Sequence, residues 1–191
     1  IMNLRQQSKQ KTREHILNET ALLLREVGFL DLSSNMIARS SKVSQGTVFL
    51  HFGTKENLLR IVLDNIISSL ENELKTRCKI SSSTHIFLKN YLEVIIEYEN
   101  ILSSLSRDFF YLPESVRKKI TIYETLTKNM FFENLQKKGK KKISIVDAFV
   151  AIDGFYSQIQ RYLVEKNEDN TGSIIKDKKG RLLKLYRILF E

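Results

Sequence analysis

Apolar residues recur every three to four positions along nearly the whole chain, the spacing of one buried face on an α-helix. From Thr12 they fall at Ile16, Leu17, Ala21, Leu24 and Val27. Gly28 follows where a helix needs a left-handed C-terminal cap, which glycine adopts without steric cost. Ser33 or Ser34 is expected to N-cap a short helix carrying Ile37 and Ala38, and Ser44 a second one reaching Leu50. Ser40-Ser41-Lys42 makes the tight connection between them. Thr54 then caps a longer helix from Lys55 through Leu58, Ile61, Val62, Ile66 and Leu70 to Thr76. Further helices are expected at 84–104, 106–112, 114–138, 143–166 and 173–190, with Pro113 at a helix start. Lys137–Lys142 and Asn167–Gly172 read as loops. No apolar–polar alternation lasts long enough for a strand. The expected fold is all-α, a small N-terminal unit over residues 1–54 on a larger helical body over 55–191.

Composition excludes several function classes. Seven Gly and one Pro are too few for a turn-rich β-sandwich or a Gly-looped nucleotide site. No apolar run approaches the roughly 18–20 residues of a membrane helix, and residues 1–13 are polar, so neither a membrane contact nor a signal peptide is expected. Ile1 ahead of Met2 reads as an added residue that hides the native start. The single cysteine, Cys78, leaves no internal disulfide and suits a reducing cytoplasm, the expected location. Lys and Arg number 31 against 22 Asp and Glu, a net charge of +9, which fits a nucleic-acid partner or merely a basic surface. Position separates the two better than the total does. Arg5, Lys9, Lys11 and Arg13 precede the first apolar stripe with no acid among residues 1–13. They read as an arm adding phosphate or minor-groove contacts, or equally as a disordered tail. Lys137, Lys138, Lys140, Lys141 and Lys142 read as a solvated loop.

Residues 28–58 read GFLDLSSNMIARSSKVSQGTVFLHFGTKENL. Gly28-Phe29, Ser33, Ile37-Ala38, Val43-Ser44, Gly46, Phe49, His51-Phe52, Lys55-Glu56 and Leu58-Leu59 stand at the spacing of a known domain. The segment resembles the N-terminal DNA-binding domain of the TetR family of bacterial repressors. Two departures stand out: Leu32 where the family usually has Thr, and Ser41-Lys42 where it has Ala-Gly. Lys42 is therefore expected either in a left-handed conformation or in a rearranged turn.

The resemblance implies a helix-turn-helix over residues 33–52, double-stranded operator DNA as partner, and a helical ligand-binding and dimerisation domain behind it. The second helix of such a motif presents its N-terminal residues to base edges in the major groove. Here these are Ser44, Gln45, Gly46 and Thr47. Gln suits adenine N6 and N7, Thr offers a hydroxyl or a methyl, and Gly lets the backbone come close. Ser33, Phe49, His51 and Lys55 fall where the family contacts phosphates, with Ser34 beside them. Ile37, Ala38, Val43, Val48 and Phe52 are expected in the core of this unit.

Thirteen of the eighteen Phe and Tyr residues lie between Phe87 and Tyr162. Core packing is the default role for each of them. The resemblance adds a pocket for an unknown small-molecule inducer between the middle helices. Phe87, Tyr91, Ile95 and Tyr98 share one helical face, and Phe109, Tyr123, Met130 and Phe149 are expected to close a mostly apolar cavity around it. The resemblance also implies a homodimer through the last two helices, at Phe149, Ile152, Tyr156, Ile159, Leu182, Leu185 and Leu189. Burial within one subunit would explain the same stripes.

The resemblance thus points to a transcriptional regulator, a repressor released from its operator by a mostly apolar ligand. A ligand-independent DNA-binding protein of the same fold, nucleoid-associated or division-linked, stays open. An enzyme on a helical bundle is disfavoured: there is no Glu-x-x-His pair, and His15, His51 and His85 are scattered. Cys78 has no motif-level base partner. No catalytic residue, metal or cofactor is expected.

Overall fold

The computed structural model describes residues 3–138, 144–166 and 172–190. The first helix, α1 (Leu4–Asp31), begins about two turns ahead of the apolar stripe. Asn3 starts it: its side chain accepts from the Arg5 N–H, while the Gln6 side chain accepts from the Asn3 N–H. Arg5, Lys9, Lys11 and Arg13 therefore sit on a helix, in place of the expected arm or tail. Gly28 has the positive φ expected of it, 79°, but its ψ is −175°, so the helix kinks there before a last turn to Asp31.

Three capped helices follow. α2 (Ser34–Ser40) is capped by Ser33, α3 (Gln45–Phe52) by Ser44 and α4 (Lys55–Arg77) by Thr54, each hydroxyl accepting a backbone N–H three residues on. α4 buries Leu58, Leu59, Val62, Leu63, Ile66, Ile67, Leu70 and Leu74, and packs against α1, α5 and α7. At its C-terminal end Cys78 is buried, which pushes the thiol up to about 12 and leaves it protonated and unreactive at neutral pH.

The expected helix over 84–104 is two helices. α5 (Thr84–Glu97) ends at Tyr98, and α6 (Glu99–Asp108) restarts immediately and runs into a 3-10 turn at Phe109–Tyr111. Then come α7 (Glu114–Lys138), α8 (Ile145–Glu165) and α9 (Ile174–Phe190), nine α-helices and no strand among the described residues. Of the two expected loops, residues 139–143 and 167–171 lie outside the described residues, and with them Lys140, Lys141 and Lys142. Phe131 of α7 knits the body together. It lies edge-on to Phe87 and Tyr91 of α5, at 4.9 and 4.8 Å between ring centroids, and 5.9 Å from Phe155 of α8. Phe155 in turn meets Tyr186 of α9.

Glu99 follows directly on the break at Tyr98. Its side chain, 2% exposed, reaches under the start of α9, where it accepts from the backbone N–H groups of Ile174 and Ile175 at 2.7 and 3.2 Å and from the Ser173 hydroxyl. A carboxylate at a helix N-terminus satisfies N–H groups that have no partner within the helix. Lys166, 3.6 Å from Glu99 and bonded to Asn100 at 2.7 Å, balances the buried charge. Glu99→Gln keeps the shape but loses the charge, and is expected to lower unfolding stability by about 2 kcal/mol in chemical denaturation.

Candidate functional site

The turn between α2 and α3 closes in the pattern of a helix C-terminus. Lys42 N–H donates to the Arg39 carbonyl at 3.1 Å, and Val43 N–H to the Ala38 carbonyl at 3.0 Å. These are the paired bonds of a Schellman motif, which requires a left-handed residue between them. That residue is Lys42, at φ 54°, the one non-glycine residue with positive φ among those described. The turn geometry is kept although glycine is absent. Buried Ile37, Ala38, Val48 and Phe52, with half-buried Val43, hold α2 and α3 together.

α3 turns one face outward. Ser44, Gln45, Gly46, Phe49 and Leu50 are exposed, Leu50 at 76%, while Thr47 and His51 are half-buried. The Ser44 hydroxyl caps the helix by accepting from the Thr47 N–H at 3.1 Å, and it also stands 2.9 Å from the Thr47 hydroxyl. Both hydroxyls are thus engaged with each other, whereas the exposed Gln45 amide has no hydrogen-bond partner among the described residues. Ser33 and Ser34 lie at the start of α2, with the Ser33 hydroxyl occupied in capping Met36.

Two basic side chains have structural attachments. Arg13 donates to the His51 carbonyl at 3.2 Å and lays its guanidinium 4.4 Å from the Phe52 ring centroid, fixing α1 against the end of α3. Lys55 donates to the Leu32 carbonyl at 3.1 Å and so holds the α1–α2 connection. Beside Arg13, the residues Gln6, Lys9, Gln10, Leu50 and His51 line an open basic cleft. Burial first, then the charges of Lys9 and Arg13, pull His51 below its ordinary 6.5, so its imidazole is neutral at neutral pH.

In the body, a cavity of about 310 Å³ lies among α4, α6, the 3-10 turn, α7 and α8. Its wall is mostly apolar, with Ile66, Leu70, Leu105, Phe109, Ile120 and Tyr123 prominent, and exposed Phe110 sits at its edge. Of the eight residues expected around a cavity, Phe109 and Tyr123 line this one. Phe87, Tyr91 and Ile95 are buried core residues on α5, which faces α4, α7 and α9. Tyr98 lines a smaller groove between α1 and α4, and Met130 a separate cleft beside Cys78. Phe149, 39% exposed, is stacked on Phe132. Of the expected dimer residues, Ile152, Tyr156, Ile159 and Leu182 are buried within the protomer, and Leu185 and Leu189 are half-buried. What α8 and α9 leave exposed is Phe149, of the expected set, together with Ile145, Val146, Val150, Val164 and Ile188.

The profile of the family described as bacterial regulatory proteins, tetR family, matches residues 16–62, which span most of α1 through the first turns of α4. The HTH-type transcriptional regulator HbdR of Aromatoleum sp. (strain CIB) is 30% identical over 76 residues, 40% of this chain and 32% of that protein. Residues 16–62 are thus similar to the N-terminal domain of the TetR family. Solved structures extend the likeness of fold to the body. A TetR transcription regulator from Haloarcula marismortui superposes with a TM-score of 0.75 at 14% identity, covering 95% of this chain and all of its own, 100%. PfmR of Thermus thermophilus gives 0.67 at 16% identity over 90% of this chain and 97% of its own. FadR, a fatty acid degradation regulator of Bacillus halodurans, gives 0.68 at 13% identity over 93% of this chain and 94% of its own. The match to the curated relative HbdR spans about a third of that protein's length.

Several residues that shape the structure carry no signal in the local sequence. Asp108 of α6 accepts from the Phe29 N–H at 3.1 Å and the Leu30 N–H at 3.4 Å, directly after the Gly28 kink. A Cβ on Gly28 would stand 2.9 Å from the Ser104 Oγ, closer than packed atoms tolerate. Glu124, Gln160 and Ser106 bring polar groups to the cavity from three different helices. Among the described residues no helix is long and apolar enough to cross a membrane. The left-handed Lys42 makes a direct prediction: Lys42→Gly removes the strain of a Cβ in that region and should raise stability by about 1 kcal/mol in chemical denaturation.

Proposed function

We propose that this chain is a transcriptional regulator that binds double-stranded DNA through α3 and represses until a small, mostly apolar ligand enters the body cavity. The observation that carries the reading is the exposed N-terminal turn of α3, with Gln45 unencumbered and Gly46 beside it, set by a closed helix-turn-helix. A helix held this way fits the major groove, where Gln45 bonds adenine and the small Gly46 admits the backbone. Ser44 and Thr47 stand on the same turn, with Thr47 presenting chiefly its methyl because its hydroxyl faces Ser44. Phosphates rest against Ser33, Ser34, Phe49 and the basic cleft of Lys9, Arg13 and His51. Lys55 retains two further N–H donors for a phosphate while its first holds Leu32.

Residues 1–54 form the DNA-reading unit in this proposal and 55–191 the sensing and pairing body. Two copies pair through the exposed Val146, Val150 and Val164 of α8 and Ile188 of α9. A Cβ on Gly154 or Gly180 would meet no neighbouring atom in the protomer, and a second copy fits closely against such bare backbone. Pairing gives two recognition helices, matching half-sites about 10–10.5 base pairs apart. The cavity touches α4, α6, α7 and α8, so a ligand there contacts both helices on which α1 rests.

Selection of bound fragments from genomic DNA tests the reading. A two-fold symmetric site is expected to emerge, and recovery without sequence preference would refute it. Against that site, Gln45→Ala should relax preference at one base pair of each half-site, costing roughly 1–3 kcal/mol there. Lys9→Ala should weaken all sequences alike and reduce the salt dependence by about one counterion. Val150→Arg together with Ile188→Arg should yield monomers in light scattering, while a dimer surviving both changes would place the pairing surface elsewhere.

A further inference from the structure

The cavity wall is apolar except at one end, where α6, α7 and α8 bring Ser106, Glu124, Tyr156 and Gln160 together. The direction of the hydrogen bonding there is informative. Ser106 gives its one proton to Gln160 Oε1 at 3.0 Å. The Tyr156 hydroxyl faces both Glu124 and Gln160, and its interaction with the carboxyl favours the charged form of Glu124. Hydroxyl protons are therefore directed along the protein's own network, and the one acceptor at this end of the cavity that carries a formal negative charge is the Glu124 carboxylate. Burial works the other way and raises Glu124 above its usual range.

No described residue forms an ion pair with Glu124. The nearest cation in its surroundings, Lys128, is spent elsewhere: it lies 2.7 Å from Asp153 and over the Tyr156 ring at 5.2 Å. Glu124 is also the one formally charged side chain among the residues lining the cavity. Lys128 draws Glu124 toward its charged form from a distance but makes no ion pair with it, so this half-buried carboxylate at the end of an apolar chamber still has room for a contacting cation and repels anions.

From this arrangement we infer that the effector is a cationic amphiphile, an apolar body carrying a protonated amine that bonds to Glu124. The inference rests on the proposal that this cavity is the effector site. The apolar body occupies the space between Ile66, Leu70, Leu105 and Phe109, and the ammonium donates to the carboxylate at the polar end. Tyr156 is a positioning residue, orienting the carboxyl from behind.

Decylamine, decanol and decanoate share one apolar chain and differ in the head, so calorimetric titration of the full chain with each separates the two ideas. Decylamine is expected to bind roughly ten- to a hundredfold more tightly than decanol, as a charge-assisted hydrogen bond allows, with decanoate weakest. Glu124→Gln should bring decylamine down to the decanol level while decanol is unchanged. Thermal unfolding at least as high as for the parent chain would show that this variant is folded. Leu105→Trp, which fills the chamber, should abolish all three. Equal affinity for the three heads, or a preference for decanoate, overturns the amine assignment and leaves the cavity as effector site. Failure of all three to bind, with Leu105→Trp indistinguishable from the parent chain, overturns both.

Discussion

The contact between Gly28 and α6 governs where the helix-turn-helix unit can sit. At this point α1 kinks with a positive φ, and the missing side chain leaves room for Ser104. Asp108, one turn further along α6, collects the two N–H groups that the kink sets loose, at Phe29 and Leu30. A carboxylate bonding two backbone N–H groups at a helix start is a strong and directional attachment. Because α2 follows only two residues after α1, and α3 is locked to α2 through the Lys42 turn, the orientation of α3 is inherited from this contact. Arg13 over Phe52 and Lys55 on Leu32 complete the frame from either side.

The same helix faces the cavity. Leu102, Leu105 and Ser106 line the chamber, while Ser104 and Asp108 face α1. α6 is thus shared between the two halves of the chain, and it is a short element broken from α5 at Tyr98 and anchored at its start by Glu99 under α9. In the proposed function, α6, a helix of ten residues, is the element through which occupation of the chamber would reach α3. Any such coupling is reciprocal: what the chamber does to DNA affinity, DNA does to the chamber by the same factor.

The N-terminal unit was legible in the sequence because its signals are local. Capping hydroxyls at Ser33, Ser44 and Thr54 lie next to the helices they start, and Gly28 marks its own kink. Even the departure at Ser41-Lys42 pointed to the position that proved left-handed. The body was legible as helices but not as a chamber. Phe87, Tyr91 and Ile95 keep helical spacing whether they meet a cavity or Phe131, and here they meet core. The same ambiguity put buried Ile152, Tyr156 and Ile159 on an expected outer face. Glu99 looked like any surface acid, since its partners, Ser173 to Ile175, lie some 75 positions away. Contacts with a distant partner leave no periodic trace, and the helix break at Tyr98 is not legible from spacing.

Removing the clamp alone tests most directly whether α6 sets the attitude of α3. Asp108→Ala leaves Gly28, the helix-turn-helix and the cavity lining in place while releasing the Phe29 and Leu30 N–H groups. Affinity of this variant for its selected DNA site, measured beside far-ultraviolet dichroism to show intact helices, is expected to fall roughly tenfold, the scale of a lost charge-assisted hydrogen bond. Undiminished affinity in a fully helical Asp108→Ala chain would contradict the role given to α6.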